Sequence, residues 1–231
     1  MGGETAPARR DPTMAPVTTP PQPENPMLVT PKPLSAYPWF IRLFFWKQKR
    51  SYGKVLEPGL LWGRSPWVFA ALALLYGALN RRGSPLDPAL RSLVTVRISQ
   101  INHCAFCVDV NAATLEKSGV AAEKIQALHR WRGSDGFTAA ERAALDYAEA
   151  VTRTGEAVTP AMAAALTEQF DEDQRAELTG LIAFQNMSSK FNAALEVPPQ
   201  GFCRLPEVTV DGVDGGVGAV GAEGESERKN A

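Results

Sequence analysis

Two cysteines flank two residues in Cys104-Ala-Phe-Cys107. Cysteine is a nucleophile only as thiolate, and the first turn of a helix favours the thiolate through free backbone N–H groups and the positive end of the helix dipole. Two thiols at this spacing lie on one side of one turn, so a sulfenic acid formed on one can be captured by the other as a local disulfide. Other uses of such a pair exist. A structural zinc site takes four ligands, and outside the pair the chain offers Cys203, His103 and His129, with no second Cys-x-x-Cys and no His-x3-His. A thioredoxin-type motif would follow a strand in an α/β pattern, which the periodicity here does not support. Two inert buried thiols are the third alternative, since free cysteine is among the most buried residue types.

Several neighbours could modulate the pair. His103 precedes Cys104 and lies four residues before Cys107, a spacing that joins side chains on a continuous helix; an exposed or capping imidazole is the alternative. Asp109 reads as a solvated carboxylate at a helix start, with a charge that would oppose a nearby thiolate. Arg97, one turn before Asn102, lowers a thiol pKa if it faces the cysteines and otherwise makes a structural salt bridge. His129 beside Trp131 reads as a helix-end cation or partly buried imidazole. Cys203 in Gly-Phe-Cys-Arg reads as a packed or idle thiol, or one that reaches a redox partner.

The elements that must position these residues read as helices throughout, because apolar residues recur at three and four rather than alternating. Asp87-Pro88 caps a helix with Leu90, Leu93, Val94 and Ile101 on one face. A second helix starts near Cys104 and ends at Gly119. Thr138-Ala-Ala-Glu141 is a capping box, Thr159-Pro160 opens the next helix, and Asp171-Glu-Asp-Gln174 caps a long one with Leu178, Leu181, Ile182 and Leu195 inward. Trp67 to Leu79 is the longest apolar run, too short for the roughly 20 residues that span a bilayer, and reads as a buried core helix. Residues 37–50 combine aromatics with a basic end and read as a segment packed on the core or a neighbouring subunit, with a membrane surface as the alternative.

At 231 residues the chain supports one folded domain plus tails. Ten of its 18 prolines fall in the first 38 residues, so 1–33 is expected to be a disordered tail; 34–84 follows as an aromatic and apolar extension with a core helix. The helical domain proper is expected over 85–205. Residues 206–231, with six glycines and six acidic residues, are expected to be disordered as well. A net charge of -1 gives no basic field for nucleic acid. Three cysteines and the absence of a signal-peptide layout point to a reducing cytoplasm.

The run Leu93-Val-Thr-Val-Arg-Ile-Ser-Gln-Ile-Asn-His-Cys104-Ala-Phe-Cys107-Val-Asp resembles the core motif of the alkylhydroperoxidase D-like and carboxymuconolactone decarboxylase family. Phe137 to Val151 resembles the family's next helix, and Leu178 to Asn186 with Lys190 to Pro198 its closing helix. The resemblance implies an all-α fold, assembly into trimers or hexamers, and no metal or organic cofactor. It gives Cys107 the role of attacking a hydroperoxide and Cys104 the roles of donating a proton and resolving the sulfenic acid, with an external dithiol or thiol protein as reductant. Two positions depart from the pattern: the family's relay Glu and His are Ser92 and Asn111 here. Neither is a general base near neutral pH, although Asn111 can orient a water or hydrogen-bond a thiolate. Three functions follow. The first is a thiol peroxidase or disulfide reductase; the second a redox-responsive or structural oligomer; the third a decarboxylase-like enzyme, for which the sequence identifies no acid/base pair.

Overall fold

A computed structural model of the chain describes residues 27–205, 208, 210 and 211, and among them every regular element is helical. Most of the two expected tails lies outside the described residues. Two parts within them depart from the expectation. Met27 and Val29 pack beside the cysteines, and the Leu28 N–H donates to the Leu195 carbonyl at 3.3 Å. Asp211 donates its N–H to the Gln100 carbonyl and places its carboxylate 2.7 Å from Arg97. Composition missed both because a single apolar pair or one carboxylate suffices when a buried partner waits for it.

The helix boundaries follow from the caps. Helix α1 spans Trp39–Tyr52, α2 Glu57–Trp62 and α3 Pro66–Leu79. The Asp87 carboxylate accepts from the N–H groups of Ala89 and Leu90 to open α4, Pro88–Ile101. Helix α5 spans Ala105–Lys117, with Gly119 just beyond it at φ +82°, a left-handed position suited to glycine. After the short α6, Ala122–Gln126, and a 3-10 turn, the Thr138 and Glu141 box opens α7, Ala139–Thr152. Thr159 opens α8, Pro160–Gln169, and the Asp171 and Gln174 box opens α9, Glu172–Ala194.

Helix α4 lies at the centre, packed against α5, α7 and α9. One face carries Leu90, Val94 and Ile98 against Ala144, Ala148, Leu178 and Ile182; the other carries Leu93 and Val96 against Leu115, Ile125, Leu128 and Leu145. A helix buried on two faces must satisfy its polar groups internally. Arg97 does so with Glu149 at 2.5 Å and Asp211 at 2.7 Å, which makes it a structural ion pair. Glu149 also accepts from Trp131 at 2.9 Å and Arg132 at 2.6 Å.

Helices α1 to α3 form a layer of their own. Tyr37, Ile41, Phe45 and Phe69 are its core, with Phe45 meeting Tyr37 and Phe69 edge to face. The segment 37–50 thus packs on the body of the chain through one side, while Trp39, Leu43 and Trp46 face outward. The reading of 67–79 as a buried core helix is corrected: α3 buries Phe69 and Leu79, but Trp67 is 83% and Leu74 77% exposed. Its residues are apolar all round, whereas its neighbours, α1, α2 and α9, cover only one side. Among the described residues no helix is long and apolar enough to cross a membrane.

Candidate active site

The junction between α4 and α5 sets the dithiol. His103 takes the left-handed conformation, φ +54°, one residue past the C-cap of α4. Its N–H donates to the Gln100 carbonyl at 3.2 Å, and the Cys104 N–H donates to Ser99 at 3.0 Å. This pair of bonds is a Schellman closure of α4. Cys104 is then at once the end of that closure and the N-cap of α5, its sulfur accepting the Cys107 N–H at 3.2 Å. The two helices are therefore not continuous at His103, and the four-residue argument that brought its imidazole to Cys107 loses its premise. His103 is exposed, its backbone serving the turn.

Cys104 and Cys107 are joined as a disulfide with their Cα atoms 5.2 Å apart, and they are 1% and 3% exposed. Leu61, Phe106 and Val197 pack around them, with Met27, Val29, Leu56 and Phe191 closing the cluster. A cavity of about 370 Å³ opens beside them. Its walls are Phe44 and Tyr52 of α1, Trp62 of α2, Phe69 and Tyr76 of α3, Phe106 of α5 and Phe184 of α9. Of the two sulfur-bearing residues, Cys107 lines it and Cys104 does not. Trp62 stacks on Phe191 with ring centres 3.6 Å apart, tying the α1–α3 layer to α9 at the edge of the thiols.

Polar groups reach the cavity from three helices: Lys47, Gln48 and Ser51 from α1, Asn111 from α5, and Gln185, Ser188 and Asn192 from α9. Gln185 donates to the Ser99 hydroxyl at 2.8 Å. Asn192 donates through Nδ2 to the Cys107 sulfur at 3.3 Å, while its Oδ1 is buried and has no partner among the described residues. A buried acceptor left unpaired costs about 1–3 kcal/mol. Asn192 was not singled out from the sequence. A signal existed, because Gln185, Ser188, Ser189 and Asn192 recur at three and four along α9, a polar stripe inside a helix otherwise read for its apolar residues.

The remaining candidates lie elsewhere. Ser92 donates its hydroxyl to the Pro88 carbonyl at 3.0 Å, near the far end of α4 from the cysteines. Asp109 is not a solvated carboxylate: it is 8% exposed and accepts the N–H groups of Gln200, Phe202 and Cys203, each at 2.7 Å. It clamps the segment after α9 to α5. The sequence could not show this, since the partners are more than 90 residues away. His129 Nδ1 lies 2.8 Å from the Gln126 carbonyl, within its own turn. Burial pushes the half-buried Cys203 thiol up; the Leu205 backbone opposes, and the Glu116 and Asp109 charges add. A raised pKa suits a packed thiol rather than a reactive one. Among the described residues no group of three or more His, Cys, Asp or Glu is placed to hold a metal ion.

With the geometry in view, the relatives become informative. The chain is 43% identical to the uncharacterized protein YnjA of Escherichia coli (strain K12) over 175 residues, 76% of this chain and 96% of that one. Residues 66–150 match the model of the Carboxymuconolactone decarboxylase family. The chain belongs to that family. The family match begins in α3, upstream of Leu93 where the resembling run starts, and takes in the dithiol. Among solved structures, this carboxymuconolactone decarboxylase family chain is similar to the alkylhydroperoxidase AhpD core of a peroxidase-related protein from Ralstonia eutropha, with a TM-score of 0.67 at 24% identity over 78% of this chain and 96% of that one. It is also similar to the debrominase Bmp8, with a TM-score of 0.69 at 22% identity over 78% and 97%. At these identities the likeness is one of fold, and the fold is alkylhydroperoxidase D-like.

Proposed function

We propose that the protein is a thiol-dependent peroxidase that reduces organic hydroperoxides with its Cys104 and Cys107 pair. The observation that carries the reading is that Cys107, at the start of α5, meets an aromatic-walled cavity while Cys104 stands behind it. In the reduced protein the Cys107 thiolate attacks the terminal oxygen of R–O–O–H. The S–O bond forms, the O–O bond breaks, and the leaving alkoxide takes the proton of the Cys104 thiol and departs as alcohol. The Cys104 thiolate then attacks the Cys107 sulfenic acid, hydroxide leaves as water with the proton first released from Cys107, and the disulfide of the structure results. An external dithiol, entering by the cavity to Cys107, restores both thiols.

Ser92 is occupied with the Pro88 carbonyl and Asn111 offers an amide, so thiolate formation leans on the helix terminus. Forfeited general-base help is typically worth 10²–10⁴-fold, which sets this protein toward the slow end of such enzymes. The reading extends to a reducing cytoplasm, where a dithiol pool resets the pair, and to a homo-oligomer, trimeric or hexameric, supported by the outward Trp39, Leu43, Trp46, Trp67 and Leu74.

The test is consumption of cumene hydroperoxide by the reduced protein with dithiothreitol. We expect turnover that Cys107→Ser abolishes. A wild-type rate no faster than that of a free low-molecular-weight thiol would sink the proposal.

The aromatic walls favour a second substrate, a flat halogenated ring, and one fold neighbour is a debrominase. The balance is Ar–Br plus two thiols giving Ar–H, bromide, a proton and the disulfide. Bromide release from a bromopyrrole, with hydroperoxide left untouched, would favour it.

A further inference from the structure

We propose that Asn192 is a catalytic residue of the dithiol site, its amide nitrogen holding the Cys107 thiolate and its amide oxygen receiving the O–H of the bound hydroperoxide. The nitrogen half stands on geometry alone; the oxygen half rests on the peroxidase reading above.

Three observations converge on this side chain. Asn192 is 1% exposed, yet it lines the cavity that Cys107 also lines. Its Nδ2 lies 3.3 Å from the Cys107 sulfur, in reach of the atom that becomes thiolate. Its Oδ1 is buried without a partner among the described residues, an acceptor open to an incoming donor. A hydroperoxide carries one hydrogen-bond donor, and it sits on the oxygen that the sulfur attacks. An amide whose nitrogen is fixed on the sulfur and whose oxygen takes that O–H therefore sets the reacting oxygen beside the nucleophile.

The backbone keeps this amide in place. Asn192 is in the last turn of α9, and its carbonyl accepts the Val197 N–H at 3.0 Å while the Glu196 N–H, at φ +54°, donates to Ala193 at 3.0 Å. This is the same closure that ends α4 at His103. Cys107, just past the end of α4, and Asn192, in the last turn of α9, thus both sit beside helix ends closed by paired N–H bonds.

Among the described residues no carboxylate lines the cavity with Cys107 and Asn192. Of the charged groups on α1, α2, α5 and α9, Lys47 lines the cavity and the others, Glu57, Asp109 and Lys190 among them, do not. Asp109 is taken up by three N–H groups and Lys190 lines a separate surface pocket with Arg153 and Glu156. The Glu57 carboxyl, pushed up by burial against the opposing Lys54 charge and with its Oε2 also buried without a partner among the described residues, stands outside the lining of the cavity. Lys47 shares the cavity wall and adds a cation that Asn192 variants leave unchanged.

The experiment follows two reactions of the reduced wild type and its variants from pH 5 to 9. Methyl methanethiosulfonate has no hydrogen-bond donor and reports the Cys107 thiolate; tert-butyl hydroperoxide reports the thiolate and the O–H contact together. In Asn192→Leu we expect the pH midpoint of the first reaction to rise by about one unit, a tenfold loss of thiolate below the midpoint. The hydroperoxide rate should fall a further tenfold or more relative to it. Asn192→Asp keeps the shape and serves if the leucine variant fails to fold by circular dichroism; it should raise the midpoint at least as far, because a donor is replaced by an acceptor. A midpoint unmoved in a folded variant overturns the nitrogen half, and an unmoved ratio of the two rates overturns the oxygen half. A wild type that reacts with the thiosulfonate but not with the hydroperoxide refutes the peroxidase reading and the oxygen half with it, while the midpoint still decides the nitrogen half.

Discussion

Replacing Asp109 by Asn should unlatch the segment that follows α9. One carboxylate oxygen accepts from both Phe202 and Cys203, and the other from Gln200, all at 2.7 Å. A hydrogen bond to a charged group contributes about 1.5–3 kcal/mol, and a charge-assisted bond is roughly twice as strong as a neutral one. The amide oxygen of Asn can keep the Phe202 and Cys203 pair, at about half the strength. The amide nitrogen then faces the Gln200 N–H, donor against donor. One strong bond is lost and two are weakened, a sum of about 3–6 kcal/mol; release of residues 200–205 into water caps it near about 3 kcal/mol, since local opening substitutes for strain. For a chain of this size that is a fall in Tm of about 6–12 °C. Thermal unfolding by circular dichroism gives the first number. Hydrogen exchange measured on the peptide covering 198–205 gives the second, where protection at Gln200, Phe202 and Cys203 should collapse together. A Tm within about 2 °C of wild type, or exchange at Phe202 unchanged, would refute the claim that this carboxylate is a structural clamp.

Two further outcomes follow from groups already described. Desolvation alone would raise the Glu149 carboxyl, but the hydrogen bond from Arg132, the Arg97 charge, and the bonds from Trp131 and Arg97 together hold it below its ordinary value of 4.5. Its folded pKa is lower than its unfolded one, so its contribution is fully present above the unfolded value and is lost as pH falls through the folded one. We expect Tm to drop on acidification below about pH 4.5, and Glu149→Gln to cost about 3 kcal/mol near neutrality and to flatten that drop, measured by unfolding across pH. His103→Gly places the preferred residue at a left-handed helix end and should stabilise the chain by up to about 1 kcal/mol. The same variant should leave the methyl methanethiosulfonate midpoint of Cys107 in place; a shift of a unit would return the imidazole to the site.

What the sequence made legible was local. Asp87, Thr138, Thr159 and Asp171 announce their helices because each cap bonds within three residues of itself. The start of α5 at the dithiol is legible for the same reason. Asn192 and Asp109 were opaque because their partners lie 85 and more than 90 residues away in the chain, and no local pattern encodes such a meeting. The role of α3 was misjudged on a different ground. An all-apolar helix says that it tolerates burial, not how many neighbours will come to cover it. Asp211 illustrates the converse, a single charge in a polar, glycine-rich stretch drawn in by the buried Arg97.

The cavity has one wall on α1 to α3 and the other on α5 and α9, joined at the edge by the stack of Trp62 on Phe191. Cys107 and Asn192 both belong to the second wall, with Cys104 behind it. The first carries the aromatic shape, with Lys47, Gln48 and Ser51 as its polar groups, and no sulfur. Selection for a new substrate can therefore act on α1 to α3 as an exchangeable template, remoulding the space in front of Cys107 while the redox couple behind it is inherited intact.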